Sequence, residues 1–460
     1  MKKVFLLVVC AGILVPLVWV LVHKFEGTPP EVDIKMPSVY LKEGYELSVD
    51  VKDPETGLRH VRIAIVQQDR EKILLEKSYP VPAVLPIFSG ETRQADQLTV
   101  PVEARKYGMK DGEAFIRFQV SDQAWWGWST GNVFSTEKKV IIDTEPPKIQ
   151  VLTQSHNVER GGSGLVIYRL FEPGLKSGVM VGKHFFPGHS GMFDQKEIHA
   201  AFFALDHSQG PGTRMWVTAE DVAGNTARRG FHYYIRDHDF RSDVLHISDK
   251  FLEFKMPDFN LGEKEAGFAA AANPLLEKFL AVNTTLRKAN VETVLQVPAD
   301  TVNQVLWQGK FDRLSGSATR AKFGDRRTYK YKGKKISQSI HMGIDLASTA
   351  HARVGAANSG RVIMAESVGI FGNTVIIDHG FGLASLYAHL SSMHVSAGDM
   401  VTKGDAIGNT GLTGLAGGDH LHFSIIVHNV FVNPLEWWDP NWIKNNITSK
   451  ITAIKDQSFN

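Results

Sequence analysis

Histidines are concentrated towards the end of the sequence, where they could take part in metal or proton chemistry. Eight of the 18 histidines fall between residues 341 and 428. The first of these stands four positions before an aspartate, as His341 and Asp345. A spacing of four puts two side chains on one face of a helix and also on one face of a strand. The intervening Gly343 and the β-branched Ile344 favour the strand.

A second pair of histidines, His420 and His422, is separated by a single residue. Side chains two positions apart share a face only in a strand, and the β-rich residues 423–427 that follow support a strand here. Two such strands side by side could present His341, Asp345 and one member of this pair to a single metal ion. Either spacing alone arises often by chance, so only their occurrence together in one small β domain is informative.

Three nitrogen and oxygen ligands with a fourth position open to water are the arrangement of a catalytic zinc site, not of a structural one. Such an ion lowers the pKa of its water and polarises a carbonyl group. The histidine of the pair that does not bind the metal could then transfer protons or stabilise an oxyanion. The sequence contains one cysteine, Cys10, which lies in an N-terminal apolar stretch. A single cysteine can form neither an internal disulfide nor a multi-cysteine metal site.

Longer motifs around these residues resemble those of the lysostaphin-type (LytM-like) zinc metalloendopeptidases, a peptidoglycan hydrolase family. The motifs follow the family's order: SIHMGIDLA at 339–347, GNTVIIDHG at 372–380, LYAHL at 386–390, glycine-rich turns at 398–414 and GDHLHF at 418–423. The resemblance extends from near Trp307 to Trp438 and includes the family's three active-site motifs.

The resemblance implies that His341, Asp345 and His422 bind one zinc ion per chain. It also implies that His389 and His420 are catalytic and flank the attacking water and the scissile carbonyl group. The family fold is a compact, mostly antiparallel β structure with its site in a groove between loops.

Other polar residues of this region receive further interpretations. If residues 386–390 are extended, Tyr387 shares a face with His389 and lines the same cleft. Arg326 and Arg327 could meet carboxylates of a stem peptide, and so could the basic run at 330–335, for which a solvated hairpin is the favoured interpretation. Four further histidines are expected at turns or on the surface: His351, His379, His394 and His428.

The remaining sequence predicts a mainly β protein of several domains, because 460 residues are too many for one core. Alternating segments and a repeated Asp…Gly-Asn turn resemble immunoglobulin-like β-sandwiches. The predicted boundaries are 1–26 for an N-terminal transmembrane signal anchor, 29–143 and 146–237 for two immunoglobulin-like domains, 238–300 for a helical connector, 301–440 for a C-terminal antiparallel β zinc peptidase domain and 441–460 for a tail.

The N-terminal segment determines the predicted location. Residues 4–22 contain no charge and follow Lys2 and Lys3, and no small-x-small cleavage site ends the stretch. We therefore expect an uncleaved single-pass anchor in the cytoplasmic (inner) membrane, with the bulk of the chain extracytoplasmic (periplasmic). A cleaved signal peptide is the alternative.

These observations predict a zinc-dependent endopeptidase that hydrolyses peptide bonds in peptidoglycan cross-links or stem peptides. The alternatives are a non-catalytic regulator of cell-wall hydrolases and a zinc protease acting on an envelope protein. The presence of all five ligand and catalytic positions favours the enzyme. Expected partners are peptidoglycan, the membrane through the N-terminal helix, and possible envelope proteins. The net charge of +2 argues against nucleic acid.

Overall fold

Alternation of apolar and polar residues is the pattern of half-buried strands, and strands form most of the regular structure in the computed structural model. The structure describes residues 2–80, 92–126, 130–263, 267–269 and 271–456. The chain divides into two compact units, residues 1–146 with 220–226 and residues 147–219 with 227–460. The predicted mainly β fold class is confirmed. The immunoglobulin-like type and the domain boundaries stay predictions.

The first unit contains two sheets around one core. Its strands are β1 (Glu31–Lys35), β2 (Tyr40–Leu41), β3 (Tyr45–Lys52), β4 (Leu58–Gln67), β5 (Arg70–Ser78), β6 (Ala95–Val102), β7 (Gly112–Asp122) and β8 (Val133–Ile142). They pair in the orders β1-β3-β6 and β2-β8-β7-β4-β5. Leu47, Val49 and Val51 are the buried positions of the alternating β3, and they share a core with Ile63 and Phe118 of the other sheet. The unit is therefore a β-sandwich.

A helix, α1 (Lys2–Lys24), precedes these strands. We predicted that residues 1–26 anchor the chain as a single-pass protein of the cytoplasmic membrane. This prediction is wrong, because within the described part of the chain no helix combines the length and the apolar character needed to cross a membrane.

The second unit begins with short strands in three sheets. They are β9 (Ile149–Val151), β10 (His156–Glu159), β11 (Ser163–Leu170), β12 (Lys176–Val181), β13 (His184–Pro187), β14 (Ile198–Ala204), β15 (Met215–Glu220), β16 (Thr226–Gly230) and β17 (Tyr233–Arg236). The orders are β14-β11-β9, β13-β12-β15-β16 and β10-β17. Nearly all of β11 is buried, and the core around it is continuous with that of the C-terminal strands.

The predicted helical connector, residues 238–300, starts with a strand, β18 (Ser242–Ile247). In the described part of this region the chain then forms α2 (Asp249–Lys255), α3 (Pro274–Ala281) and α4 (Arg287–Gln296). Ser248 and Asn273 begin the first two helices, because each side chain accepts from a backbone N–H three residues later. A π-helical turn, Val282–Leu286, joins α3 to α4.

The C-terminal region is built on one large antiparallel sheet. Its strands are β19 (Ala318–Ala321), β20 (Arg326–Tyr331), β21 (Lys334–Ile340), β22 (Ile344–Ala347), β23 (Arg353–Gly355), β24 (Gly360–Val368), β25 (Gly372–Asp378), β26 (Leu383–Leu390), β27 (Ser392–Met393), β28 (Met400–Val401), β29 (Ala406–Asn409), β30 (Leu421–Val427) and β31 (Val430–Val432). The main order is β19-β22-β30-β26-β25-β24-β28, and β31 pairs with β30. Strands β26 and β30 are buried along their whole length.

Two smaller sheets, β18-β20-β21 and β23-β29-β27, complete this region. Because β18 pairs in parallel with β20, the connector is joined to the C-terminal region by a sheet. The chain then continues through α5 (Pro434–Trp438), α6 (Pro440–Ile443), a π-helical turn (Lys444–Thr448) and α7 (Ser449–Lys455). Ile443, Ile447 and Ile454 are buried, so much of the predicted tail packs on the second unit.

Candidate active site

The pairing of β22 with β30 brings two of the predicted ligands together. Asp345 of β22 lies directly opposite His422 of β30 in the antiparallel ladder. On its other side, His422 lies opposite Ala388 of β26. Residues directly opposite one another in neighbouring strands have side chains on the same face, within contact distance.

His341 reaches this pair from the short connection between β21 and β22, where it lies just beyond the strand that we predicted for it. Its Nε2 atom is 2.9 Å from Asp345 Oδ1 and 2.9 Å from His422 Nδ1, and these two atoms are themselves 2.9 Å apart. Gly343 permits this close approach. A Cβ atom there would lie 2.7 Å from His422 Cε1 and 2.5 Å from Ser424 Oγ.

The outer nitrogens of the two histidines have partners that determine the tautomers. His341 Nδ1 lies 2.9 Å from the backbone carbonyl oxygen of Lys322, which only accepts, so the ring proton is on Nδ1. Ser424 Oγ donates to the carbonyl oxygen of Met342 at 2.9 Å, and therefore accepts from His422 Nε2 at 3.1 Å. In the neutral rings, His341 Nε2 and His422 Nδ1 carry lone pairs.

Two nitrogen lone pairs and a carboxylate oxygen at mutual distances of 2.9 Å repel one another unless a cation lies among them. Burial lowers the pKa of His422 to about 4, so that ring stays neutral and its Nδ1 atom remains an acceptor. Two imidazoles and a carboxylate are a ligand set that zinc accepts. His341, Asp345 and His422 therefore form a buried group that can hold a metal ion.

The second oxygen of Asp345 has its own partner. Arg327 donates to Asp345 Oδ2 at 2.8 Å, which leaves Oδ1 for the histidine side. Burial acts to raise the pKa of this carboxyl group, but His341, His420 and His422 outweigh it and hold the pKa well below its ordinary value. Asp345 is therefore a carboxylate. Arg327, which we expected could meet a carboxylate of a stem peptide, is half-buried and bonded to Asp345.

A β-bulge directs His389 into the site. The ladder between β25 and β26 shifts register between Tyr387 and Leu390, a feature common beside active sites. His389 has a φ of 63°, which is the left-handed region that few non-glycine residues adopt. Its Nδ1 atom donates to the carbonyl oxygen of Thr413 at 2.9 Å, so Nε2 is unprotonated in the neutral ring. Burial, together with His420, holds the pKa of His389 well below its ordinary value.

His420 also lies beside the metal-binding group. Its Nδ1 atom donates to the carbonyl oxygen of Gly418 at 2.8 Å, and its Nε2 atom is 3.5 Å from Asp345 Oδ1. Burial acts to lower the pKa of His420, but Asp345 outweighs it and raises the pKa. The ring centroids of His389 and His420 are 4.8 Å apart.

All five predicted site residues line one groove of about 360 Å³. They are His341, Asp345, His389, His420 and His422. The connector supplies one wall of the groove through Leu245, Phe251, Phe279 and Arg287, and Phe371 lies on the C-terminal side. No local sequence pattern had drawn attention to Arg287, because its position depends on how the connector packs.

Tyr387 is not in this groove. Its hydroxyl group is buried in the core, where its oxygen accepts from the backbone N–H of Ala357 at 2.7 Å and from Ser385 Oγ at 2.9 Å. The bulge at His389 breaks the strand alternation on which our prediction rested. Among the histidines that we placed at turns or on the surface, His379 and His428 are buried.

Residues 339–434 match the model of Peptidase family M23, so the C-terminal region contains a domain of this family. The DD-carboxypeptidase/endopeptidase Mpg of Neisseria meningitidis is 38% identical over 96 residues, which are 21% of this chain and 22% of that protein. The peptidoglycan DD-endopeptidase ShyA of Vibrio cholerae is 36% identical over 96 residues, again 21% and 22% of the two chains.

The matched stretch thus spans about a fifth of the length of these curated relatives. A crystal structure described as an M23 peptidase from Pseudomonas aeruginosa is also similar. It is 18% identical, covers 61% of this chain and 94% of its own, and has a TM-score of 0.38.

Proposed function

We propose that this chain is a zinc-dependent endopeptidase that hydrolyses peptide bonds in the cross-links or stem peptides of peptidoglycan. The observation that carries the proposal is the group of three lone-pair acceptors, His341 Nε2, Asp345 Oδ1 and His422 Nδ1, which faces a groove beside two further histidines. A zinc ion held there supplies Lewis acidity, which polarises a carbonyl group and makes water a nucleophile near neutral pH.

His389 and His420 are the groups that move protons in this proposal. Nδ1 of each ring donates to a backbone carbonyl oxygen, of Thr413 and Gly418 respectively, so Nε2 is the atom that exchanges a proton with the substrate. These bonds also restrict the orientation of each ring. A positioned histidine that acts as a general acid or base contributes roughly 10²–10⁴-fold to a rate.

Arg327 has a positioning role in the same proposal. Its ion pair with Asp345 Oδ2 at 2.8 Å fixes the carboxylate, so that Oδ1 is directed at the two histidine nitrogens. The backbone carbonyl oxygen of Lys322 and the hydroxyl group of Ser424 likewise orient the rings of His341 and His422 through hydrogen bonds. Partners of this kind orient metal ligands and determine which ring nitrogen is free to bind.

The substrate is inferred from the relatives. Of the two relatives described above, one is named a DD-carboxypeptidase/endopeptidase and the other a peptidoglycan DD-endopeptidase. The region that matches contains Asp345, His389 and His422 together with the other two site residues. Because each of the five positions carries a side chain able to bind a metal or move a proton, we favour an enzyme over a non-catalytic regulator.

Digestion of purified peptidoglycan by the zinc-loaded full chain tests the proposal, with released fragments identified by mass spectrometry. We expect soluble fragments that carry a new amino group and a new carboxyl group at a former cross-link or stem-peptide bond. The His341→Ala chain is expected to release none. A zinc-loaded chain that leaves peptidoglycan intact but cleaves a protein substrate would instead identify a protease of another specificity, and cleavage of neither would contradict the enzyme assignment.

A further inference from the structure

Arg287 is a cation of the groove whose guanidinium group forms no ion pair with a described carboxylate. It begins α4 and lines the groove together with His341, Asp345 and His420. Its Nε and Nη2 atoms donate to Asn283 Oδ1 at 3.2 and 2.9 Å. In the part of the chain that the structure describes, no carboxylate forms an ion pair with this guanidinium group. A half-buried guanidinium group whose hydrogen bonds go to a neutral amide keeps a charge that no ion pair balances.

Asn283 holds this guanidinium group in one orientation. The Asn283 side chain is buried, and its Nδ2 atom donates to Ser337 Oγ of β21 at 2.8 Å. It lies in the π-helical turn Val282–Leu286, a rare element that is found frequently at functional sites. Because one edge of the guanidinium group is bonded to Asn283, the remaining N–H groups are available to a ligand in the groove.

The groove as a whole is cationic. Three arginines line it, Arg287, Arg320 and Arg327, against two carboxylates, Asp243 and Asp345. Arg327 is paired with Asp345 Oδ2, whereas Arg320 is exposed and has no ion-pair partner among the described residues. A bound divalent ion would increase this positive charge. An anionic group on the substrate is therefore favoured beside the metal-binding group.

We infer that Arg287 binds a carboxylate group of the substrate and makes the enzyme selective for peptides that carry a free carboxylate close to the scissile bond. A guanidinium group forms charge-assisted hydrogen bonds with a carboxylate and matches its geometry. Arg287 lies outside the M23 match at residues 339–434, so this selectivity comes from the connector. The inference rests on the proposed function and specifies its substrate class.

The test uses two preparations of the same peptidoglycan, one with free carboxylates and one whose carboxylates have been converted to amides with a carbodiimide and ammonia. We expect the wild-type chain to release fragments from the free form about 10-fold faster or more, the range of a hydrogen bond to a charged group. Arg287→Gln should lose this preference and digest the two forms at equal rates, and Arg287→Lys should retain part of the preference.

Lys288→Gln is the matched control, because it removes a positive charge from the next position of the same helix. Lys288 is exposed and approaches Glu292 rather than the groove. This variant should keep the wild-type preference. A wild-type chain that digests both forms equally, or an Arg287→Gln chain that keeps the full preference, would overturn the inference and leave the proposed function intact. If Arg287→Gln does not fold, the inference is tested by the preference of the wild-type chain and by whether Arg287→Lys retains part of it.

If the proposed function is wrong, the wild-type chain releases no fragments from either peptidoglycan preparation. In that case calorimetry decides whether the carboxylate site exists. The probe is an acetylated dipeptide with a free C-terminal carboxylate, compared with its amide. Tighter binding of the acid to the wild-type and Lys288→Gln chains than to Arg287→Gln would support the site, and equal binding of acid and amide to the wild-type chain would overturn it.

Discussion

Asp345 and His422 are direct partners in neighbouring antiparallel strands, and Asp345 Oδ1 lies 2.9 Å from His422 Nδ1. Their positions in the sequence are 77 residues apart, so only the sheet register makes them neighbours. Both are buried, interior strands of the large sheet. Because a register shift of one residue would turn every side chain to the opposite face, the metal-binding group depends on this ladder as a whole.

Removal of a histidine ligand should remove both the metal and the activity. We expect His341→Ala and His422→Ala to lose bound zinc, because two remaining ligands bind far more weakly than three. Elemental analysis after gel filtration measures the metal, and peptidoglycan digestion measures the activity. His394→Ala is the control, because His394 is exposed and does not line the groove. Retention of zinc by the His422 variant would show that the ligand assignment is incorrect.

The two flanking histidines should affect turnover and not metal content. We expect His389→Ala and His420→Ala to lower the digestion rate by about 100-fold or more, the usual contribution of general acid–base catalysis, while each chain keeps its zinc. The same two measurements separate these variants from the ligand variants. If either variant digested peptidoglycan at the wild-type rate, the histidine that it lacks would have no part in the proposed reaction.

Gly343→Ala should disrupt the metal-binding group without changing any ligand. The added Cβ would lie 2.6 Å from the carbonyl oxygen of Phe423 and 2.7 Å from His422 Cε1, so β30 must move away. We expect weaker zinc binding in a chelator competition and a lower digestion rate. Gly230→Ala is the matched control, since a Cβ there meets no atom within 4 Å. Unchanged zinc affinity in Gly343→Ala would mean that the approach of the strands is not required.

Glu436 should make the second unit less stable as the pH rises. Its Oε2 atom accepts from the backbone N–H and the hydroxyl group of Ser163 at 2.8 and 2.9 Å, and burial raises its pKa to about 8. The folded chain keeps the proton of this group while the unfolded chain loses it above the ordinary pKa of 4.5. Its contribution to stability is therefore complete below pH 4.5 and is lost as the pH rises through about 8.

Glu436→Gln isolates this effect, because a glutamine amide oxygen can accept the same two hydrogen bonds without titrating. We expect the free energy of unfolding of the wild-type chain to fall relative to the variant by at most about 5 kcal/mol between pH 4.5 and pH 8. Urea titrations at several pH values measure the difference. A difference that does not change with pH would mean that Glu436 is ionised in the folded chain.

Much of the candidate site could be predicted because its residues stand in short motifs with local geometry. The spacing of His420 and His422 specifies one face of a strand, and both residues line the groove. The motif that contains His341 and Asp345 predicted a shared site, although His341 lies just beyond the strand that we expected. The alternation of apolar and polar residues also predicted the mainly β fold. Successive side chains of a strand point to opposite faces, so residues two apart share a face.

The tertiary structure determined the side-chain positions that residue types and short spacings do not specify. Tyr387 is in the core because the bulge at His389 interrupts the alternation, and a bulge depends on the pairing partner. Arg287 reaches the groove because the connector packs on the C-terminal region through the parallel pair β18 and β20. Residue types and short spacings thus determined which groups could bind a metal. Long-range register and packing, which no short segment encodes, decided their distances, their tautomers and the charge of the surrounding groove.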